Sequence, residues 1–139
     1  MKRYLLDASS LMFLLRNSHT EKAIESLLDS LILDLTYYEV GNAIWKESIL
    51  TRFITPEESK TMERLVQEIL RETERVTFEM ESFQKILEIA KAEKLSFYDS
   101  SYIHFAKQGG LKLITEDKQL KAKAQRHVGV QTMNTLLSE

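Results

Sequence analysis

Four acidic residues spread along the chain are of the type that could hold a metal ion and hydrolyse a phosphate ester. They are Asp7, Glu39, Asp99 and Asp117. Carboxylate oxygens are hard ligands, which favour Mg²⁺ or Mn²⁺ and also suit Ca²⁺. A divalent ion bound in this way activates water for attack on phosphorus. This chemistry requires that acids distant in the sequence meet at one place in the fold.

The elements that must position these acids follow from the pattern of apolar residues. Short apolar runs alternate with longer amphipathic segments, and we predict five strands, at residues 3–7, 31–35, 75–78, 111–115 and 128–132. We predict helices from about residue 9, at 37–53, from Pro56 after an N-cap at Thr55, from about Met80, within 95–110, and at 117–126. This alternation predicts a doubly wound α/β fold, in which a parallel sheet of about five strands carries helices on both faces.

All four acids fall on one edge of the predicted sheet. Asp7 ends the first strand, and Glu39 lies in the first turn of the helix that follows the second. Asp99 opens the helix before the fourth strand, and Asp117 follows that strand. The functional crevice of an open α/β sheet lies beyond the carboxyl ends of its strands. The predicted fold therefore brings the acids to the place where such proteins bind their ligands.

Each acid also has a purely structural interpretation as a helix cap or a first-turn residue. Asp99, for example, comes three residues after Ser96, which is the spacing of a capping box. The four together are harder to explain in this way. Two carboxylates about 4 Å apart repel by roughly 4 kcal/mol at an effective dielectric constant of 20. Converging acids without interleaved Lys or Arg need protons or a cation to coexist.

The composition excludes several other kinds of site. The chain has 139 residues, a net charge of −2 and no cysteine, so disulfides, thiolate zinc sites and cysteine nucleophiles are excluded. Its three histidines, at positions 19, 104 and 127, are too far apart to form a local metal motif. Asp7 interrupts the apolar run that follows Lys2 and Arg3, which argues against a signal peptide. We expect a mature, cytoplasmic protein without a membrane span.

Four sequence blocks resemble those of a known family. The blocks LLDASSL, YYEVGNA, SFYDSSYIHFA and LITEDKQL are similar, in order and spacing, to the four acidic blocks of PIN-domain ribonucleases, and above all to the VapC toxins of toxin–antitoxin pairs. The resemblance covers essentially the whole chain, 1–139, as a single PIN-like domain. It implies a Mg²⁺- or Mn²⁺-dependent endoribonuclease whose catalytic and metal-binding residues are Asp7, Glu39, Asp99 and Asp117. It also implies supporting hydroxyl groups at Ser9 and Thr115 and two protein partners, an antitoxin and a second copy of the chain in a homodimer.

Two features of this site stay open at the level of sequence. One is the identity of the fourth acid, because Glu116 stands next to Asp117. The other is the number of metal ions, one or two.

Residues near the four acids suggest further roles. Lys46 lies two turns beyond Glu39 on the same helix face, and Lys118 and Lys121 follow the fourth acid, so all three are candidates for binding RNA phosphates. The lysines after the fourth acid equally suit a solvated helix face. Asn42 could support a bound water or metal, or could lie at the surface. Gly41 predicts close backbone packing in preference to close approach of substrate.

The predicted helix 37–53 is apolar on more than one face. Val40, Ala43 and Ile44 form one stripe, while Trp45, Ile49 and Phe53 lie outside it. A helix needs only one stripe to join a core. The surplus predicts a second buried surface, formed by a homodimer, by an antitoxin or within the domain itself.

Four rival interpretations use the same fold class. A phosphatase of the haloacid dehalogenase type needs a second acid two residues after the first, where this chain has Ser9. A response-regulator receiver needs paired acids and a late lysine, and neither is evident. The stronger rivals are a PIN-fold nuclease of RNA processing outside toxin–antitoxin systems and a non-catalytic, RNA-binding PIN domain.

Overall fold

The central sheet of the protein is parallel and has five strands. The computed structural model describes residues 1–17 and 21–139, so His19 lies outside the described residues. The strands are β1 (Tyr4–Leu6), β2 (Ser30–Leu33), β3 (Glu74–Val76), β4 (Lys112–Ile114) and β5 (Val130–Gln131). Their order is β3-β2-β1-β4-β5, and every neighbouring pair is parallel. The predicted α/β architecture is confirmed.

Eight α-helices surround this sheet in the described residues. They are α1 (Ala8–Asn17), α2 (Glu21–Leu28), α3 (Asp34–Trp45), α4 (Pro56–Glu72), α5 (Phe83–Glu93), α6 (Phe97–Gly109), α7 (Lys118–Ala124) and α8 (Met133–Ser138). A 3₁₀ turn at Met80–Ser82 precedes α5, and a π-helical turn at Lys46–Leu50 extends α3. Among the described helices, none has the length and apolar character needed to cross a bilayer.

Two separate cores cover the two faces of the sheet. Leu5 and Leu6 are both fully buried in β1, but they belong to different hydrophobic clusters because successive strand residues point to opposite faces. Leu6 packs in the cluster to which α1, α3, α4 and α8 contribute, and Leu5 packs in the cluster to which α5, α6 and α7 contribute. This is the three-layer arrangement that the sequence predicts, and it places β1 at the centre.

Several predicted boundaries differ from those of the structure. The strand predicted at 31–35 ends at Leu33, because the Thr36 hydroxyl accepts the Leu33 N–H at 3.1 Å and starts α3 at Asp34. The helix predicted at 37–53 ends earlier, since the π-helical turn stops at Leu50 and Arg52 has a left-handed φ of 52°. The single helix predicted after β1 is two helices, α1 and α2.

The final helix, α8, was not predicted. It has a simple local signal, because the Thr132 side chain accepts the Thr135 N–H at 3.0 Å as an N-cap. Its apolar residues Met133 and Leu136 are buried, but the helix has only six residues, which is too short for periodicity to reveal it.

Candidate active site

Asp7 is the most deeply placed of the four acids. It follows β1 directly, and its residue is only 5% exposed. Its Oδ1 accepts hydrogen bonds from the Ser9 hydroxyl at 2.7 Å and from the Ser10 N–H at 2.9 Å, and its Oδ2 accepts one from the Thr115 hydroxyl. Burial raises the pKa of Asp7 to about 6, although these hydrogen bonds oppose the shift. These hydrogen bonds fix the orientation of the Asp7 carboxylate, while burial disfavours its charged form.

Glu39 points from α3 towards the first turns of α6. Its Oε1 accepts a hydrogen bond of 2.6 Å from the Tyr102 hydroxyl. Burial raises the pKa of Glu39, the Tyr102 hydroxyl lowers it, and the negative charge of Asp99 raises it. Burial likewise raises the pKa of Tyr102, as does the Glu39 charge, so its hydroxyl stays a neutral donor.

Asp99 lies in the first turn of α6, but the N-cap of that helix is Ser96. The Ser96 hydroxyl accepts the Asp99 N–H at 3.0 Å, so the helix is capped without the Asp99 carboxylate acting as acceptor for a backbone N–H. Burial raises the pKa of Asp99, and the charge of Asp117 raises it further. A hydrogen bond to the Ser96 side chain lowers the pKa of Asp99, so the helix start interacts with this carboxylate through Ser96 and the macrodipole, but it does not remove the repulsion from Asp117.

Glu116 and Asp117 point to different places, which bears on the choice between them. Glu116 Oε1 accepts the Met133 N–H at 2.6 Å, so this side chain binds the start of α8. Asp117 caps α7 through the Leu120 N–H at 2.9 Å and is the residue whose charge acts on Asp99. Of the two, Asp117 is the acid whose charge reaches Asp99, and it also caps α7; its role as the fourth acid of the site stays a prediction.

The hydroxyl residues Ser9 and Thr115 join the two sides of the site. The Thr115 hydroxyl contacts Asp7, lies 3.2 Å from the Ser9 hydroxyl and accepts the Asp117 N–H at 3.1 Å. Ser9 in turn accepts the Glu116 N–H at 2.9 Å. These bonds fix the ends of β1 and β4 against each other, so Asp7 cannot shift independently of the Asp117 backbone.

The charges of this edge of the sheet are not compensated. The charge of Asp117 acts on Asp99, and that of Asp99 acts on Glu39. In the part of the chain that the structure describes, no Lys, Arg or His side chain forms a salt bridge with Asp7, Glu39, Asp99 or Asp117. An all-oxygen donor set with uncompensated negative charge fits a hard divalent cation.

The acids do not form a ready-made set of ligands. Among the side chains that the structure describes, no three His, Asp or Glu residues are arranged as a group that could hold a metal ion. Both Asp7 oxygens are engaged by hydroxyl and backbone donors, and Glu39 by Tyr102. The four-acid metal site therefore stays a prediction, supported by the chemistry of the donors.

The predicted accessory residues lie outside this hydrogen-bonded centre. Lys46, Lys118 and Asn42 are exposed, and Lys121 is partly exposed, so each lysine is free to meet a phosphate. Gly41 is exposed, and a Cβ built on it would meet nothing within 4 Å, so the expectation of close packing there is wrong. Without a side chain, Gly41 leaves space at the surface for a bound molecule to approach the backbone of α3.

Sequence reasoning missed Tyr102 and Thr36 as site residues. Their hydroxyl oxygens lie 2.8 Å apart, and both residues are buried. Tyr102 follows Asp99 by three residues, one helical turn, which is a signal that could have indicated its place beside the acids.

Replacing Ser96, the N-cap of α6, should lower the stability of the protein without abolishing the activity of the site. We expect Ser96→Ala to lower the free energy of unfolding by about 1 kcal/mol, because the Asp99 N–H loses its acceptor. The Asp99 carboxylate remains, so any activity of the site should persist within a few-fold. Urea unfolding and an activity assay on the same sample would measure both. A complete loss of activity at intact stability would contradict this division of roles.

Comparison with known proteins agrees with the fold and with the family resemblance. Residues 4–125 match the PIN domain family. The chain is 35% identical over 130 residues to "Exonuclease VapC9" of Pyrobaculum aerophilum, covering 94% of this chain and 92% of that protein. It is 29% identical over 129 residues to "Ribonuclease VapC3" of the same organism, covering 87% of this chain and 94% of that protein.

Solved structures give the same result. The crystal structure of PAE2754 from Pyrobaculum aerophilum superposes with a TM-score of 0.83 at 34% identity, covering 99% of this chain and 95% of that one. FitAcB from Neisseria gonorrhoeae shares the fold, with a TM-score of 0.64 at 22% identity, over 94% of this chain and 97% of the other. The resemblance inferred from four acidic blocks is confirmed, and the chain belongs to the PIN domain family, with VapC proteins among its relatives.

Proposed function

We propose that this chain is a Mg²⁺- or Mn²⁺-dependent endoribonuclease and the toxin of a type II toxin–antitoxin pair, acting on RNA in the cytoplasm. The observation that carries the proposal is the carboxylate edge, where Asp7 is buried at the end of β1, the charge of Asp117 acts on Asp99 and that of Asp99 acts on Glu39, and no described basic side chain forms a salt bridge with these acids. The relatives named as an exonuclease and a ribonuclease support nuclease activity.

The proposed mechanism divides the work between a metal and the protein. One or two ions held by Asp7, Glu39, Asp99 and Asp117 would supply a water of lowered pKa and charge stabilisation at phosphorus. Ser9 and Thr115 fix the orientation of the Asp7 carboxylate. Asp7 must be ionised to serve as a ligand, and its pKa of about 6 makes it so at neutral pH.

Substrate binding must overcome the negative charge of the protein. Two bound dications would change the net charge from −2 to +2, since −2 + 4 = +2. Lys46 and Lys118 are exposed and Lys121 is partly exposed, and these lysines would contact phosphates of the RNA, each as a point charge whose contribution falls with salt.

The partner proposal rests on an exposed apolar surface. Trp45, Ile49, Leu50 and Phe53 are 50%, 62%, 61% and 77% exposed, so these side chains are not buried within their own domain. Exposed apolar groups of this number on one segment are typical of interaction sites. We assign the surface to contact with a second copy of the chain or with the antitoxin. Light scattering of the isolated chain at micromolar concentration would show a monomer if only the antitoxin uses it.

The name of the VapC9 relative makes an exonuclease the second candidate. A linear RNA and the same RNA closed into a circle distinguish the two activities, because a circle has no end for an exonuclease. If the chain is an endoribonuclease, the linear and the circular RNA should both be cleaved with Mn²⁺ or Mg²⁺, and EDTA should abolish the cleavage. Cleavage of the linear form alone would make the enzyme an exonuclease. Metal binding without cleavage of several structured and unstructured RNAs would favour the non-catalytic alternative.

The two neighbouring acids after β4 should differ in their effect on activity. We expect Asp117→Asn to reduce cleavage by on the order of 10- to 100-fold, because Asn keeps the N-cap of α7 but removes the charge next to Asp99. Glu116→Gln keeps the oxygen that accepts the Met133 N–H and should leave cleavage within a few-fold. Cleavage rates of the two purified variants at saturating Mn²⁺ test this. The reverse ranking would make Glu116 the fourth acid.

A further inference from the structure

A chain of hydrogen bonds runs from the backbone of β2 to the Glu39 carboxylate. The Leu33 N–H donates to the Thr36 hydroxyl at 3.1 Å, the Thr36 and Tyr102 hydroxyl oxygens lie 2.8 Å apart, and Tyr102 donates to Glu39 at 2.6 Å. Thr36 has no exposed surface and Tyr102 is 1% exposed. Water therefore does not compete for the bonds among Leu33, Thr36 and Tyr102, while the Glu39 carboxylate at the end of the chain is partly exposed.

The direction of every bond in this chain is determined. An ionised carboxylate only accepts, so the single Tyr102 proton goes to Glu39. The Tyr102 oxygen then receives its second bond from Thr36, whose own oxygen is already an acceptor for the Leu33 N–H. Each hydroxyl thus donates once and accepts once, and neither can rotate without leaving a buried polar group unpaired, which costs about 1–3 kcal/mol.

The same residue connects the helices that carry two of the acids. Tyr102 lies one turn after Asp99 in α6, and Glu39 and Thr36 lie one turn apart in α3. The Tyr102 ring packs among buried residues such as Leu5 and Ile103, which limits its movement. The position of the Glu39 carboxylate relative to α6 is therefore set by Tyr102, against the charge of Asp99 that opposes close approach.

We propose that Tyr102, oriented by Thr36, is the positioning residue that holds the Glu39 carboxylate towards Asp99 so that the two can share a divalent cation. This inference rests on the proposed function and names the residue that organises its site. Tyr102 itself touches neither substrate nor metal in this proposal; it acts only through Glu39.

The test uses a substitution that keeps the buried ring. Tyr102→Phe removes only the hydroxyl, and Tyr37→Phe is a matched control, because Tyr37 lies on α3, the helix of Glu39, and its hydroxyl donates to the Leu70 carbonyl and accepts from Arg75 instead. Mn²⁺ affinity is measured without RNA by calorimetry, and RNA turnover at saturating Mn²⁺. We expect Tyr102→Phe to weaken Mn²⁺ binding by about 10-fold or more and to lower kcat with little change in KM. Tyr37→Phe should change each value by less than about twofold.

A double-mutant cycle separates positioning from general support of the fold. In a Glu39→Gln background there is no carboxylate to position, so adding Tyr102→Phe should change Mn²⁺ affinity no further. An equal loss in both backgrounds, or wild-type Mn²⁺ affinity in Tyr102→Phe alone, would overturn the inference. A wild-type protein that binds Mn²⁺ and cleaves RNA keeps the proposed function in either case. A wild-type protein that does neither removes the proposed function and this inference with it.

Discussion

Asp99→Asn is expected to lower metal-dependent RNA cleavage by at least ~100-fold while the protein remains folded. The substitution is nearly isosteric, and the cap of α6 is unaffected because Ser96 accepts the backbone N–H of residue 99. What is lost is the negative charge between Glu39 and Asp117, which is central to attracting a cation. Since these carboxylates repel one another, the metal-free variant should be as stable as the wild type or slightly more stable.

Cleavage of a labelled RNA and Mn²⁺ binding should be measured on the same preparation of this variant. The matched comparison is Ser96→Ala, which weakens the same helix turn without removing a carboxylate. The two variants should show opposite patterns: Asp99→Asn is stable and inactive, and Ser96→Ala is less stable and active. Unchanged metal-dependent cleavage by Asp99→Asn would remove Asp99 from the site and leave it as a first-turn residue.

The parallel sheet, and the edge of the sheet at which the acids lie, were predictable from the sequence because both depend on short-range signals. The central strand is apolar at Tyr4, Leu5 and Leu6 and ends in a polar residue, and parallel strands carry such ends to one edge. The cap at Thr55 was also predictable from sequence, and the structure shows it, with the Thr55 hydroxyl accepting the Glu58 N–H at 3.1 Å. These features need no knowledge of tertiary contacts.

Other features depend on contacts between distant segments, which a single sequence does not reveal. The sequence alone does not distinguish Glu116 from Asp117 as the fourth acid. The contact that separates them, between Glu116 and the N-terminus of α8, joins distant segments of the chain. The link between Thr36 and Tyr102 joins residues 66 positions apart. The packing role expected of Gly41 was wrong for a related reason: the helix face on which it lies is exposed in the isolated chain.

Asp7 shows how the site should affect the stability of the metal-free protein. Its folded pKa of about 6 lies above its ordinary value of 3.8, so the folded state binds the proton more tightly than the unfolded state. The contribution of Asp7 to stability is therefore greatest at low pH, falls as pH rises from about 4 to about 6, and is constant above that. Two pKa units correspond to about 3 kcal/mol.

Asp7→Asn is accordingly expected to be more stable than the wild type at pH 7.5 by up to about 3 kcal/mol, and to be inactive. The amide oxygen can keep the bonds from Ser9 and Ser10, and the amide nitrogen can donate to the Thr115 oxygen. Urea unfolding in EDTA between pH 4 and pH 8 gives the difference between the two proteins, which cancels the titration of the other acids. That difference should be near zero at pH 4 and reach its maximum above pH 6.5.

Saturating Mn²⁺ should stabilise the wild type more than the variant, because the Asp7 charge that destabilises the metal-free protein is the charge that a cation would bind. A variant less stable than the wild type at pH 7.5 would show that the Asp7 charge is compensated within the fold, and would weaken the case for a metal at this edge.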